Sequence, residues 1–159
     1  MRDPGSLIRA ACLPNERSKT EPRGKAMNDL LLLIGRVLIA LLFLMTVWVG
    51  GPSPGYLGSL GFFAPAVCSL VAHIVEWILI LSLVFGLWTR YGALLGIVYV
   101  VIATAAAHRY WQYTPPAQQI QYGNFSKNLA ILGALLFVYV TGPGAYRLDC
   151  LWSKKRSAA

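Results

Sequence analysis

Residues 66–88 read AVCSLVAHIVEWILILSLVFGLW. This run is apolar along its whole length except for His73 and Glu76, and it is long enough to cross about 30 Å of hydrocarbon as a helix. Three further runs resemble it: Leu30–Val49, broken only by Arg36; Tyr91–Ala107; and Leu129–Thr141, extended upstream to Ser126 and downstream to Tyr146. Backbone N–H and C=O groups find no partners in lipid, so such runs must be helical. The chain has 159 residues, of which 57% are hydrophobic and 13% charged, with a mean hydropathy of +0.57. A soluble domain carries about 25% charged residues, so this composition excludes both a soluble globule and a disordered chain. The expected fold is an all-α membrane protein, a four-transmembrane-helix bundle with both termini cytoplasmic.

The orientation follows from the basic residues. With the N-terminus inside, eleven Lys and Arg lie on the inner side and two, Arg109 and Lys127, on the outer side, while Arg36 sits within the first helix. That asymmetry is the positive-inside pattern. It also accounts for the net charge of +8 without nucleic acid, because the basic residues collect at the chain ends and form no patch interleaved with aromatics. The three cysteines, Cys12, Cys68 and Cys150, include no C-x-x-C pair, and Cys68 in its apolar run reads as a buried inert thiol.

The connections differ in chemistry. Residues 50–65 carry no charge and are rich in Gly and Pro, which predicts a loop with a short interfacial turn at Leu57–Phe63. Only Thr89 and Arg90 separate the second and third runs, so those helices are antiparallel neighbours. Residues 108–125 are aromatic and amide-rich, and Tyr110, Trp111, Tyr113, Tyr122 and Phe125 suit the interfacial belt. Asn124 or Ser126 reads as the N-cap of the fourth helix, and Thr141-Gly-Pro-Gly-Ala145 as its stop. Small residues four apart, Gly92/Gly96, Ala103/Ala107 and Ala130/Ala134, predict close packing of helices three and four.

Glu76 is the most informative residue. An acid near mid-membrane costs several kcal/mol unless paired or neutralised, so it faces the bundle interior. It acts there either as a proton- or ligand-handling group or as an interhelical anchor. His73, three residues earlier, shares its helix face. His108 ends the third helix, and rise counts place His73 about 24 Å and His108 about 26 Å from the tight turn. Matched depth permits a bis-histidine haem or a His/His/Glu metal site. With only two histidines in the chain, the blander expectation is an outer polar cluster completed by Arg109, Asn124, Lys127 and Asn128. Arg36, about 10 Å into its helix, either snorkels to the inner interface or rises to pair with Glu76. No catalytic triad, phosphate loop or zinc-protease motif is present, so no catalytic residue is assigned.

Taken together, several motifs resemble the DoxX family of small four-helix bacterial membrane proteins. They are Gly35-Arg36 followed by LLF in helix one, Glu76 in helix two, Gly86-Leu-Trp-Thr-Arg90 at its close, His108, Asn124-Phe125, Lys127-Asn128, and Gly142-Pro143-Gly144 followed by Asp149. The resemblance covers about residues 29–150; composition divides the chain into a disordered basic extension, 1–26, that need not be native because Met27 is a plausible start, a four-helix membrane domain, 27–152, and a basic cytoplasmic tail, 153–159. It implies a multi-pass protein of the bacterial inner membrane, an accessory or quinone-associated subunit of a membrane oxidoreductase. Glu76, with Arg36 or His73, would bind or protonate a quinone oxygen, and Trp77 and Tyr99 are candidates to line the ring. The cofactor is left open: a quinone is one candidate, ahead of haem or a metal. The partners implied are the lipid bilayer, a redox protein and, left open, a second copy of the chain. Two other functions suit the same residues: a proton-coupled small transporter and a non-catalytic membrane scaffold.

Overall fold

The computed structural model describes residues 22–148, and the order of elements within them is wholly helical. Helix α1 spans Pro22–Trp48, the short α2 Pro54–Ser59, α3 Pro65–Phe85 and α4 Thr89–Ala107. A single 3-10 turn, Tyr110–Gln112, leads to α5, Ala117–Thr141. The four long helices are each long and apolar enough to cross a membrane. They form an antiparallel bundle in which α1 packs on α3, α3 on α4 and α4 on α5, while α1 touches α5 only sparsely. The all-α, four-span fold class read from the sequence therefore stands.

The helix ends show where local chemistry shifts the expected boundaries. Pro65 starts α3 at a position whose N–H has no helical acceptor to lose. Gly86 ends it in the left-handed region, at φ 69° and ψ 25°, where a residue without Cβ carries no steric cost. The turn between α3 and α4 is consequently Gly86–Trp88, and Thr89 already lies in α4 instead of forming the turn. At α5 the expected caps are displaced. The helix starts at Ala117, so Asn124 and Ser126 are interior. Pro116 supplies the start, and the Gln-rich segment after it has no residue that breaks a helix. Helix α1 starts at Pro22, so residues 22–26 are helical although the sequence pointed to disorder there. The rest of that extension, and the tail with Asp149 and Cys150, lie outside the described residues.

Two small clusters make the core. Phe43, Leu79, Ile80, Val100 and Leu135 form one, and Ala40, Leu83, Ala93 and Val138 the other. The remaining apolar side chains, such as Leu81, Ile102 and Phe137, point outward, as they should where the solvent is lipid and small residues set the helix contacts. Of the small residues, Gly96 approaches α5 as expected, whereas Gly92 packs on α3. A Cβ built on Gly96 would meet Leu79 of α3 at 2.9 Å and Leu135 of α5 at 3.1 Å, and one built on Gly92 would overlap Ser82. Tyr110 stacks edge-on against Trp111, Tyr122 and Phe125 at centroid distances of 5.2, 5.3 and 5.4 Å. The expected aromatic belt is thus partly a cluster that pins the 3-10 turn to α5.

Candidate functional site

Glu76 is buried, 3% exposed, on the α3 face turned toward α1 and α4. The Tyr99 hydroxyl of α4 donates to its Oε1 at 2.8 Å. Thr46 Oγ1 of α1 lies 3.4 Å from the same oxygen. The Thr46 hydroxyl has one proton, and the Phe43 carbonyl accepts it at 2.6 Å, so Tyr99 is the strong donor. Glu76 Oε2 has no partner among the described residues. Buried carboxyl oxygens are seldom left this way, because the lost hydration costs more than a net hydrogen bond returns.

That unpartnered carboxyl belongs to a residue lining a cavity of about 900 Å³, walled mainly by aliphatic side chains of α1, α3 and α4, with α2 among the elements that contribute. Its polar groups fall at two levels. Glu76, Tyr99 and Thr46 lie at one. His108, Asn124, Lys127 and Asn128 lie at the other, toward the end of α4. Tyr99 and His108 are nine residues apart, about 13 Å along a helix. At the upper level the His108 Nδ1 pairs with Gln121 Oε1 at 2.9 Å. Asn128 Nδ2 donates to the Thr104 hydroxyl at 2.8 Å, which in turn donates to the Val100 carbonyl at 2.6 Å. The chain Asn128–Thr104–Val100 ties α5 to α4. Asn128→Ala is expected to destabilise the protein by roughly 0.5–2 kcal/mol, the range for polar contacts between membrane helices. The midpoint of thermal unfolding in detergent measures it.

The structure gathers some of the sequence-derived candidates and separates others. Glu76, His108, Asn124, Lys127 and Asn128 line one cavity, while Arg36, His73 and Arg109 do not. Arg36 neither pairs with Glu76 nor reaches water. Its Nη2 donates to the Tyr146 carbonyl at 2.6 Å, at the Arg90 end of the bundle. The reason is directional: helix side chains lean toward the N-terminal end, where the segment after α5 offers the Tyr146 carbonyl. The His73 ring pairs through Nδ1 with the Ser69 carbonyl, 2.7 Å away in its own helix. Its Nε2 abuts Gly51, where a Cβ would sit 3.0 Å away. His73 and His108 are thus bound to different elements, and no group of three His, Cys, Asp or Glu among the described residues could hold a metal ion. Trp77 is half exposed toward lipid. Cys68, a free thiol, is only half-buried and lines the cavity. Thr46, Gln121 and Thr104 were missed as polar contacts. Thr46 had a signal, since it is the only hydroxyl in the 30–49 run.

Four membrane-length helices around a polar site define the class: a multi-pass integral membrane protein with a carboxyl group buried in an apolar cavity. The chain belongs to the SURF4 family, whose family model matches residues 6–156. Among its relatives are two proteins of Escherichia coli (strain K12). Inner membrane protein YphA is 34% identical over 131 residues, covering 78% of this chain and 91% of YphA. Inner membrane protein YqjF is 31% identical over 135 residues, covering 82% of this chain and 98% of YqjF. No solved structure matches. The location expected from the sequence, a bacterial inner membrane, agrees with these relatives. The resemblance to DoxX is corrected: the match is to SURF4. The motifs behind it are short helix-end signals such as Gly-Pro-Gly and Gly-Leu-Trp-Thr-Arg, and their order reflects a four-helix layout, which is not peculiar to one family.

Proposed function

We propose that the cavity binds a lipophilic small molecule bearing a hydrogen-bonding carbonyl or hydroxyl, of the quinone class, and that the chain serves a membrane oxidoreductase as an accessory, ligand-holding subunit. The observation that carries this reading is Glu76 Oε2: a buried carboxyl oxygen with no partner, on a residue that lines an apolar cavity. Protonated, a carboxyl group donates to a quinone carbonyl; ionised, it accepts from a quinol hydroxyl. Tyr99, fixed on Oε1, orients the group, and Oε2, itself buried, meets the ligand once the neighbouring side chains part. The aliphatic walls suit a ring and the start of an isoprenoid tail. Electrons would come from a partner protein, with Glu76 serving the proton side. The basic residues at the chain ends support cytoplasmic termini, which would put the His108 level toward the opposite face.

Titration of the full chain in lipid nanodiscs with a short-chain ubiquinone, read by tryptophan fluorescence, tests the proposal. Saturable binding is expected. Tyr99→Phe is expected to weaken it about tenfold, because a freed Oε1 lets the carboxyl group turn, a loss of roughly 1.4 kcal/mol. No saturable binding would refute the reading. Proton uptake by vesicles in response to an amphiphilic cation, lost in Glu76→Gln, would favour the transporter instead. That alternative draws on the same buried carboxyl group.

A further inference from the structure

The opposite end of the bundle holds a second polar site, outside the cavity. Arg36 heads the fully buried side chains by volume, at 1% exposed. Among the described residues its only acceptor is the Tyr146 carbonyl, and Nε and Nη1 have none. Nη1 lies against the α3–α4 turn, so close that a Cβ on Gly86 would sit 2.8 Å from it. Thr89, which follows that turn, is 2% exposed, and its hydroxyl is also without a partner. Of the four buried side-chain atoms lacking a partner among the described residues, three therefore fall at this end, two on Arg36 and one on Thr89. Arg90, exposed at the same end, lays its guanidinium over Gly142.

A desolvated guanidinium with one neutral acceptor is poorly compensated. The oxygens of an anion would bond it far better, since charge-assisted, bidentate contacts are the strong ones. The segment over Arg36, 142–147, is short and lies outside any helix. It leaves α5 through Gly142 and Gly144, at φ 73° and 69°, and its Ala145 N–H bonds Asp29 Oδ1 of α1 at 3.0 Å. These are the ends of helices long and apolar enough to cross a membrane, where lipid headgroups would be met.

We propose that this corner is a phosphate site. Phosphate oxygens take the Nη1–Nη2 edge of Arg36 and accept from the Thr89 hydroxyl, Arg90 stands at the entrance, and the segment 142–147 lifts to admit the group. The Tyr146 carbonyl is the acceptor that phosphate replaces. The phosphate comes either from an anionic lipid headgroup or from free inorganic phosphate. This goes beyond the cavity reading and does not depend on it.

The full chain in phosphatidylcholine nanodiscs is titrated with inorganic phosphate, and separately prepared with phosphatidylglycerol in the disc. Native mass spectrometry and the thermal midpoint are the readouts. A saturable one-to-one adduct and a raised midpoint are expected with at least one probe. A response to inorganic phosphate in phosphatidylcholine discs identifies the free anion, and a response to phosphatidylglycerol alone identifies the headgroup. Arg36→Gln abolishes the adduct. Thr89→Val weakens it at least threefold and leaves the fold intact, since that hydroxyl has no partner among the described residues to lose. No one-to-one adduct with either probe, or Thr89→Val binding like the unchanged chain, overturns the proposal.

Discussion

Glu76→Leu loses about thirtyfold in affinity for a short-chain ubiquinone, whereas Glu76→Gln stays within about threefold. The first change removes the free oxygen and leaves a ligand carbonyl facing hydrocarbon, a cost of roughly 2 kcal/mol for an unmade hydrogen bond. The second keeps the shape and a donor, and the amide oxygen still accepts from Tyr99. The two variants then part on protons. A carboxyl group exchanges one and an amide does not, so proton uptake coupled to quinone reduction falls in Glu76→Gln although binding persists. Affinity from fluorescence titration and proton uptake from a pH-sensitive dye measure the two effects separately. Equal affinities for Leu and Gln at this position would show that ligand does not meet the carboxyl group.

The largest effect on stability is expected from a glycine. Gly92 packs directly on Ser82 of α3, and a built Cβ would lie 2.7 Å from Ser82 Cβ. Serine is too short to swing aside, and its hydroxyl already donates to the Leu87 carbonyl at 2.7 Å within the turn. Gly92→Val must therefore push α3 from α4, at a cost of about 3 kcal/mol or more by analogy with overpacked cores. Gly133 of α5 is the control. Nothing lies within 4 Å of its built Cβ, so Gly133→Ala is neutral or gains up to roughly 1 kcal/mol from restricting the unfolded chain. Detergent thermal unfolding should separate the two by many degrees. Similar midpoints would mean that α3 and α4 are not locked at this crossing.

These contrasts mark what was legible in the sequence. The four membrane runs, the antiparallel pairing of α3 with α4, the interior face of Glu76 and the tight α4–α5 packing follow from hydropathy, connection length and small-residue spacing. Lipid forces that reading, because a long apolar run has no other way to satisfy its backbone. The start of α5 was not legible. Polar side chains at 117–128 look like a loop when judged by hydropathy, yet nothing in them interrupts backbone hydrogen bonding. Family membership was misread for a related reason: short helix-end motifs report where helices stop, not which family they belong to.

By itself, the sequence determined the membrane class, the helix count and the few polar residues that had to be inside. Which of those residues meet was decided only in three dimensions. Rise along a helix gives depth but not rotation, so Arg36, His73 and Glu76 appeared as one set. Packing sends them to three places. Arg36 reaches the carbonyl after α5, His73 the turn after α1, and Glu76 the Tyr99 hydroxyl. The unpartnered oxygen of Glu76 exists for the same reason. A hydrogen bond left unmade is a property of the whole assembled neighbourhood, and no single stretch of chain contains it.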